Sequence, residues 1–274
     1  MPSKLRRVRE LSSFRRIALA DWRNPNDPTV YGTLEVDATA ALDYIDQLRS
    51  HGGAHVTITH LVGRAVALAI AEHPEVNARI SWRRLMQRDS VDIFFQVATD
   101  SGMDLSGAKV DGVDRLSAAE LARELSDKAS RIREGSDPQF ESMRRLMKRL
   151  PMPLLRGALS LSNLLVNDLD LDLARFGLPR DPFGSAMVTN VGSFDLDTGF
   201  APLVPMSKVP VLVLVGAVRK RPVAVDDEVV VRPQLTLCAT FDHRLMDGHQ
   251  AGQVARSLKR YLASPASYEP PLSD

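Results

Sequence analysis

LTLCATFDHRLMDG, residues 235–248, changes character halfway along, and that change decides the fold. Leu235, Leu237, Ala239 and Phe241 alternate with Thr236, Cys238 and Thr240, the period-two pattern of a strand. From Gly248 to Leu262 the apolar residues Ala251, Val254, Leu258 and Leu262 recur at helical spacing. His243, Arg244 and Asp247 stand where the strand hands over to the helix, a favoured place for reactive side chains on a rigid scaffold. Imidazole is the natural base for a thiol or hydroxyl near neutral pH. Asp247 occupies the helix N-cap position, and a capping aspartate needs no chemical role. Bare H-x-x-x-D-G occurs by chance in many proteins, so its surroundings have to decide. His51, His55, His60, His73 and His249 read as surface or hydrogen-bonded residues.

Outward from this junction the last hundred residues are strand-rich. Ala186–Asn190, Val209–Val218 and Ala224–Val231, the last around an Asp226-Asp227-Glu228 turn, read as strands. The first half mixes element types. A strand over Thr29–Asp37 precedes a helix over 38–49. A largely apolar helix over Thr59–His73 is stopped by Pro74, and a strand over Val91–Thr99 and an amphipathic helix over Ser117–Arg133 follow. Between 139 and 181, Phe140, Met143, Leu146, Met147 and Leu150 form one stripe, with Arg144, Arg145, Lys148 and Arg149 opposite. Pro151 and Pro153 break that helix, and a second apolar helix runs over about Leu154–Val166. This predicts an inserted helical hairpin packed on the domain, although its amphipathic shape also suits a membrane surface or a docking partner. The tail 264–274, SPASYEPPLSD, reads as flexible. The expectation is a single α+β domain over 1–274, a mixed sheet flanked by helices.

The 274 residues carry a net charge of only +1, with 44% hydrophobic and 25% charged residues. That is ordinary globular composition, with no general attraction to nucleic acid or anionic lipid. The single cysteine, Cys238, excludes an intrachain disulfide and a thiolate metal cluster, and it reads as a small core residue. No metal site is expected. The basic N-terminus is not followed by an apolar core, and the longest apolar run, Val209–Val218, is about half a membrane span. A cytoplasmic enzyme without a transmembrane segment is expected.

Several further stretches resemble, in order, the catalytic domain of the dihydrolipoyl acyltransferases, the transacylases of 2-oxo-acid dehydrogenase complexes. LSSFRRIA (11–18) resembles that family's opening basic helix, and TLEVDATAAL (33–42) its first strand and turn. VGRAVALAIAEHPEVNARI (62–80) is similar to the helix ending in Pro-Glu-x-Asn, and VTNVGSF (188–194) to an Ile-Ser-Asn-x-Gly turn. The run from Val209 to Pro222 is similar to the central strand, and TFDHRLMDG (240–248) matches D-H-R-x-x-D-G at every defined position. The resemblance implies a chloramphenicol-acetyltransferase-like fold and an acyltransferase moving an acyl group between coenzyme A and a thiol such as dihydrolipoamide. It implies His243 as general base and Thr189, where the family has serine, as hydrogen-bond donor to the tetrahedral oxyanion. It further implies Asn190 and Gly192 at the substrate, and Asp247 as an architectural residue paired with an arginine, Arg16 being the expected partner. Arg244 falls to structural pairing. The implied assembly is a homotrimer, with His243 and Thr189 of one active site supplied by different chains.

Departures from the pattern shape the remaining expectations. No lipoyl or peripheral-subunit-binding domain is visible, so a lipoyl group is expected on a separate protein, possible partners including 2-oxo-acid dehydrogenase subunits. Coenzyme A is expected as a substrate rather than a bound cofactor. The channel loop Asp-Gly-Leu-x-x-Pro-Val is here DSGMDLS (100–106), with Asp104 near where a phosphorylated cofactor would lie. The polar tail predicts an isolated trimer rather than a large core. Two other readings stay open: a catalytically inactive trimeric scaffold or partner-binding protein of the same fold, and a small-molecule O-acetyltransferase.

Overall fold

The structure, a computed structural model, describes residues 27–51, 54–82, 84–98, 105–133, 151–169, 171, 173 and 180–271. Asp37 ends β1 (Thr29–Asp37) by accepting the Thr39 N–H at 2.8 Å, which turns the chain into α1 (Thr39–Ser50). Thr57 and His60 form a capping box at the start of α2 (Ile58–Glu72), and Pro74 opens a single 3₁₀ turn, Pro74–Val76, at its end. The hairpin β2 (Ala78–Ser81) and β3 (Arg84–Gln87), then β4 (Ile93–Ala98), β5 (Leu105–Val110) and α3 (Ala118–Arg133), complete the first half. α4 (Met152–Ser162) continues as a π-helical turn over Asn163–Asp168. β6 (Ala186–Asn190), β7 (Val211–Val215), β8 (Arg219–Val225), β9 (Glu228–Asp242) and α5 (Gly248–Ala263) follow.

Seven of the described strands make one mixed sheet in the order β1-β9-β7-β6-β4-β5, with β8 also on β9. β4, β6 and β7 are mutually parallel, and the remaining pairings are antiparallel. Strand alternation sorts the two faces. Val188, Val211, Val213, Val215, Leu235, Leu237 and Phe241 pack into the same core as Leu61, Val62, Val66 and Ile70 of α2 and Leu258 and Leu262 of α5. α2 lies close on the sheet because Gly63 meets the Phe95 ring, where any Cβ would clash. The other face carries a smaller cluster of Met187, Leu212, Leu214 and Cys238, and it leaves Tyr31 and Phe200 stacked edge-on yet 53% and 50% exposed. The architecture is the α+β mixed sheet flanked by helices, and Cys238 is the buried core residue expected.

Two expectations change, and one pair of strands enters that was not expected. The tail is not loose at its start. Pro265–Ser267 forms a 3₁₀ turn, and buried Glu269 pairs with Arg64 at 3.1 Å, accepts the Tyr261 hydroxyl at 2.8 Å and accepts the Ala118 N–H at 2.7 Å. A buried guanidinium demands a partner, and the tail supplies it. The hairpin β2–β3 lacks the β-branched, alternating signature of a strand and went unread. Of the inserted segment, residues 139–150, 170, 172 and 174–179 lie outside the described residues. α4 does not pack as expected, because Met152, Leu154 and Leu161 are exposed; at its π-helical end Asn167 donates to the Met206 carbonyl at 3.2 Å. Residues 1–26, with Arg16, and the loop 99–104, with Asp104, also lie outside the described residues.

Candidate active site

The strand-to-helix junction is a closed, hydrogen-bonded turn. Asp242 N–H is held by the Pro210 carbonyl at 2.9 Å, and the Asp242 carbonyl accepts from Leu245 and Met246 at 2.9 and 3.0 Å. His243 N–H donates to Pro28 at 2.8 Å, which ties the turn to the entry of β1. The His243 side chain is exposed, whereas Leu245 and Met246 beneath it are buried. A histidine would gain nothing here from packing, and the fold spends a fixed backbone on presenting it.

Its neighbours are ordered by charge. The Asp242 carboxylate accepts the Arg244 N–H at 3.0 Å and the guanidinium at 2.9 and 2.6 Å. Burial alone would raise the Asp242 carboxyl, but hydrogen bonds from the Arg244 side chain and backbone outweigh it and hold the group below its usual value. Arg244 therefore pairs structurally, with Asp242. Asp247 Oδ1 accepts the N–H groups of His249 (2.8 Å) and Gln250 (3.2 Å), and Gln250 Oε1 reaches back to the Asp247 N–H at 2.8 Å. The Gln250 and His249 N–H groups keep this carboxyl lowered as well. Within the described residues Asp247 is thus a helix cap, and the expected Arg16 partner falls outside them. A cleft of about 270 Å³ opens beside the turn, lined in part by Pro28, Leu203, Val204, Lys208, Asp242 and Arg244.

Thr189 and Asn190 end β6 and face opposite sides of the sheet. The Asn190 amide donates to Thr59 Oγ1 of α2 at 2.6 Å, and its oxygen accepts the Ser193 N–H at 3.2 Å. Asn190 thereby anchors the turn after β6, a role that neither its type nor its position announced. Gly192 belongs to that turn, where a Cβ would come within 2.6 Å of the Gly216 carbonyl. Thr189 is half-buried on the sheet face that carries Met187, Leu212 and Cys238.

The structure does not bring Thr189 to His243 within one chain. Thr189 registers with Leu214, and Leu214 with Cys238, so Thr189 lies two strands across from a residue five positions before His243. At ~3.3 Å per residue and ~4.8 Å between strands, the two are roughly 19 Å apart. Groups that flank one reacting carbon need to stand within a few ångströms of it. Among the described residues no group of three or more His, Cys, Asp or Glu side chains is placed to hold a metal, and no helix is long and apolar enough to cross a membrane.

Residues 6–142 and 183–268 match the family model of the 2-oxoacid dehydrogenases acyltransferase (catalytic domain). The stretch left unmatched between them, 143–182, takes up most of the segment read as an insertion. Among curated relatives, the dihydrolipoyllysine-residue acetyltransferase component of the acetoin cleaving system of Bacillus subtilis (strain 168) is 27% identical over 215 residues, 78% of this chain and 43% of that protein. The mitochondrial dihydrolipoyllysine-residue succinyltransferase component of the Saccharomyces cerevisiae 2-oxoglutarate dehydrogenase complex is 26% identical over 235 residues, 84% and 42% of the two chains. The chain spans less than half the length of these relatives. Among solved structures, a probable dihydrolipoamide acetyltransferase from Listeria monocytogenes 4b F2365 superposes with a TM-score of 0.64 at 20% identity, over 94% of each chain. The cubic core of a pyruvate dehydrogenase multienzyme complex superposes with a TM-score of 0.65 at 20% identity, over 89% of this chain and 84% of that one. With the D-H-R-x-x-D-G turn in place at the end of β9, this chain belongs to the family of 2-oxoacid dehydrogenase acyltransferase catalytic domains.

Proposed function

We propose that the chain transfers an acyl group between coenzyme A and a thiol such as dihydrolipoamide, in a homotrimer whose active sites each join two protomers. His243 takes the proton from the attacking thiol as its sulfur bonds to the thioester carbonyl carbon. The resulting oxyanion accepts a hydrogen bond from Thr189 of the neighbouring protomer. Collapse of the intermediate expels the other sulfur as a thiolate, which recovers the proton from the imidazolium, so atoms and charge balance. A positioned base of this kind is worth typically 10²–10⁴-fold in rate.

The observation that carries this reading is the separation within one chain of a presented histidine and a strand-end hydroxyl. A second copy is the simplest source of the missing group. Support also comes from the sheet face bearing Tyr31 and Phe200, an apolar surface with little cover of its own. A lipoyl group would arrive on another protein, and other subunits of a 2-oxo-acid dehydrogenase complex are the expected company. The inserted segment, anchored beside the loop that lines the cleft, would border one entrance.

The test is a panel of acyl-coenzyme A donors with free dihydrolipoamide, wild type against His243→Ala. A wild-type rate about 10²-fold or more above the variant with one donor supports the assignment. Equal background rates with every donor overturn it and leave the scaffold reading, to which the threonine at 189 already lends some weight.

A further inference from the structure

His243 sits between two residues of opposite charge that hold each other. The Asp242 carboxylate is 10% exposed and the Arg244 side chain 59% exposed, so the anion is sheltered and the cation caps it from outside. Four hydrogen bonds join them, three through the guanidinium and one through the Arg244 N–H. The last closes a side-chain turn around His243 itself. We infer that the Asp242–Arg244 pair is a positioning device for His243, fixing the turn that presents the imidazole and setting the field in which it gains and loses its proton. The inference rests on the reading of His243 as the base.

Two observations lead to it. A catalytic histidine ordinarily has its second ring nitrogen held by an orienting acceptor. Among the described residues the His243 ring has no such partner, and the fixing is done one bond further back, through Pro28, Pro210 and the side chain of Asp242. The second observation is charge. On its own turn His243 adjoins Asp242 and Arg244, and it is within reach of the charge of Asp247, the cap of α5, whose carboxylate also feels His249. Lys208, before β7, and Asp27, before β1, line the adjoining cleft. Asp27, Asp242 and Asp247 outnumber Arg244 and Lys208 by one, and loss of either member of the pair shifts the charge beside the ring by one unit, in opposite directions for the two.

The signs are opposite for the two members. Arg244→Gln leaves the Asp242 carboxylate unmatched. It stabilises the imidazolium, and the titration of His243 and the acid limb of kcat/KM move to higher pH. Asp242→Asn leaves the guanidinium unmatched and moves both to lower pH. At surface dielectric a single charge at this range shifts a titration by about half a pH unit or more. The double variant D242N/R244Q restores the balance but not the clamp. Its limb returns towards wild type while kcat stays low and KM changes little.

Histidine labelled at Cε1 reads the titration by NMR in the intact oligomer, with His243→Ala assigning the signal, whether or not the variants turn over. Opposite shifts for the two single variants, with kcat reduced in the double variant, are the expected result. Titrations that coincide with wild type, or that move the same way in both, overturn the inference, since loosening of the turn alone has no sign. Opposite shifts in a protein whose His243→Ala variant keeps full activity remove the base assignment and leave the pair standing, so the two failures separate.

Discussion

Thr189 bears one methyl more than the serine usual at this position, on a half-buried strand end where that methyl has to find room. If its hydroxyl serves the oxyanion, Thr189→Val lowers kcat by about 10²–10³-fold, whereas Thr189→Ser stays within a few fold of wild type. Steady-state kinetics with KM resolved from kcat checks this, because a packing defect would not discriminate between the two replacements. His60 teaches a different lesson. It reads as inert, yet its Nδ1 accepts the Thr57 N–H at 2.9 Å at the start of α2. Burial, aided by the charge of His55, pushes its pKa down to about 4. The unfolded chain binds this proton near pH 6.5 and the folded chain does not. Stability therefore falls as pH drops from about 6.5 towards 4. His60→Gln, which keeps the reach back to Thr57 and cannot titrate, flattens that part of a melting-temperature profile. At this scale the motif around His243 was legible because its residue types and spacing are specific. The task of Asn190 was not, because its bond to Thr59 reaches a residue that only the fold brings near, and that of His60 was not, because a capping box is ordinarily signalled by Glu or Gln at that position and not by histidine.

α5 begins on Asp247, whose carboxylate takes two of the helix's free N–H groups. Asp247→Ala lowers the midpoint in denaturant, and Asp247→Asn recovers most of the loss. Were Asp247 a participant in the chemistry instead, Asn would restore stability without restoring rate. The helix was legible from its apolar spacing and the cap from its position. The chain beyond it was not. Proline and polar residues signal a loose tail, and a lone glutamate gives no hint that it enters the core. Glu269 nevertheless closes a buried network with Arg64 and Tyr261. Removing it strands the guanidinium, so Glu269→Ala destabilises by about 3–5 kcal/mol, and adding Arg64→Met recovers much of that loss. Two-state chemical denaturation of the four proteins in that cycle measures it. The exposed leucines of α4 mark the opposite failure, in that helical periodicity identified the element without saying what lies against it.

In the whole molecule the strand order was the least legible feature. Periodicity shows that a strand exists and which face is apolar, but nothing local says that β1 lies against β9 or that β6 separates β4 from β7. The ordered resemblance along the chain supplied what pattern could not. The assembly yields its own test. If His243 and Thr189 of one site belong to different chains, mixing the inactive variants His243→Ala and Thr189→Val regenerates whole sites. At equal amounts, with random assembly, about a quarter of the sites contain both groups, and activity returns to about a quarter of wild type. No recovery after exchange of protomers, verified by mass, would exclude a shared site. Light scattering on the same protein is expected to give a trimer of about 91 kDa, three chains of 30.2 kDa each. A particle many times heavier would show that the trimers associate further.

The pairing of β1 with β9 also bears on how the molecule is made. Thr29 registers with Asp242 and Asp37 with Gln234, and among the described strands β1 lies at the edge of the sheet, paired with β9. During synthesis that neighbour leaves the ribosome roughly 190 residues later, about 10–40 s at typical elongation rates. For that interval β1 offers an unmatched row of amides and carbonyls, the kind of edge that nascent chains bury in one another. Expression of this protein should therefore depend more on chaperone supply during translation than its finished, well-packed sheet would lead one to expect.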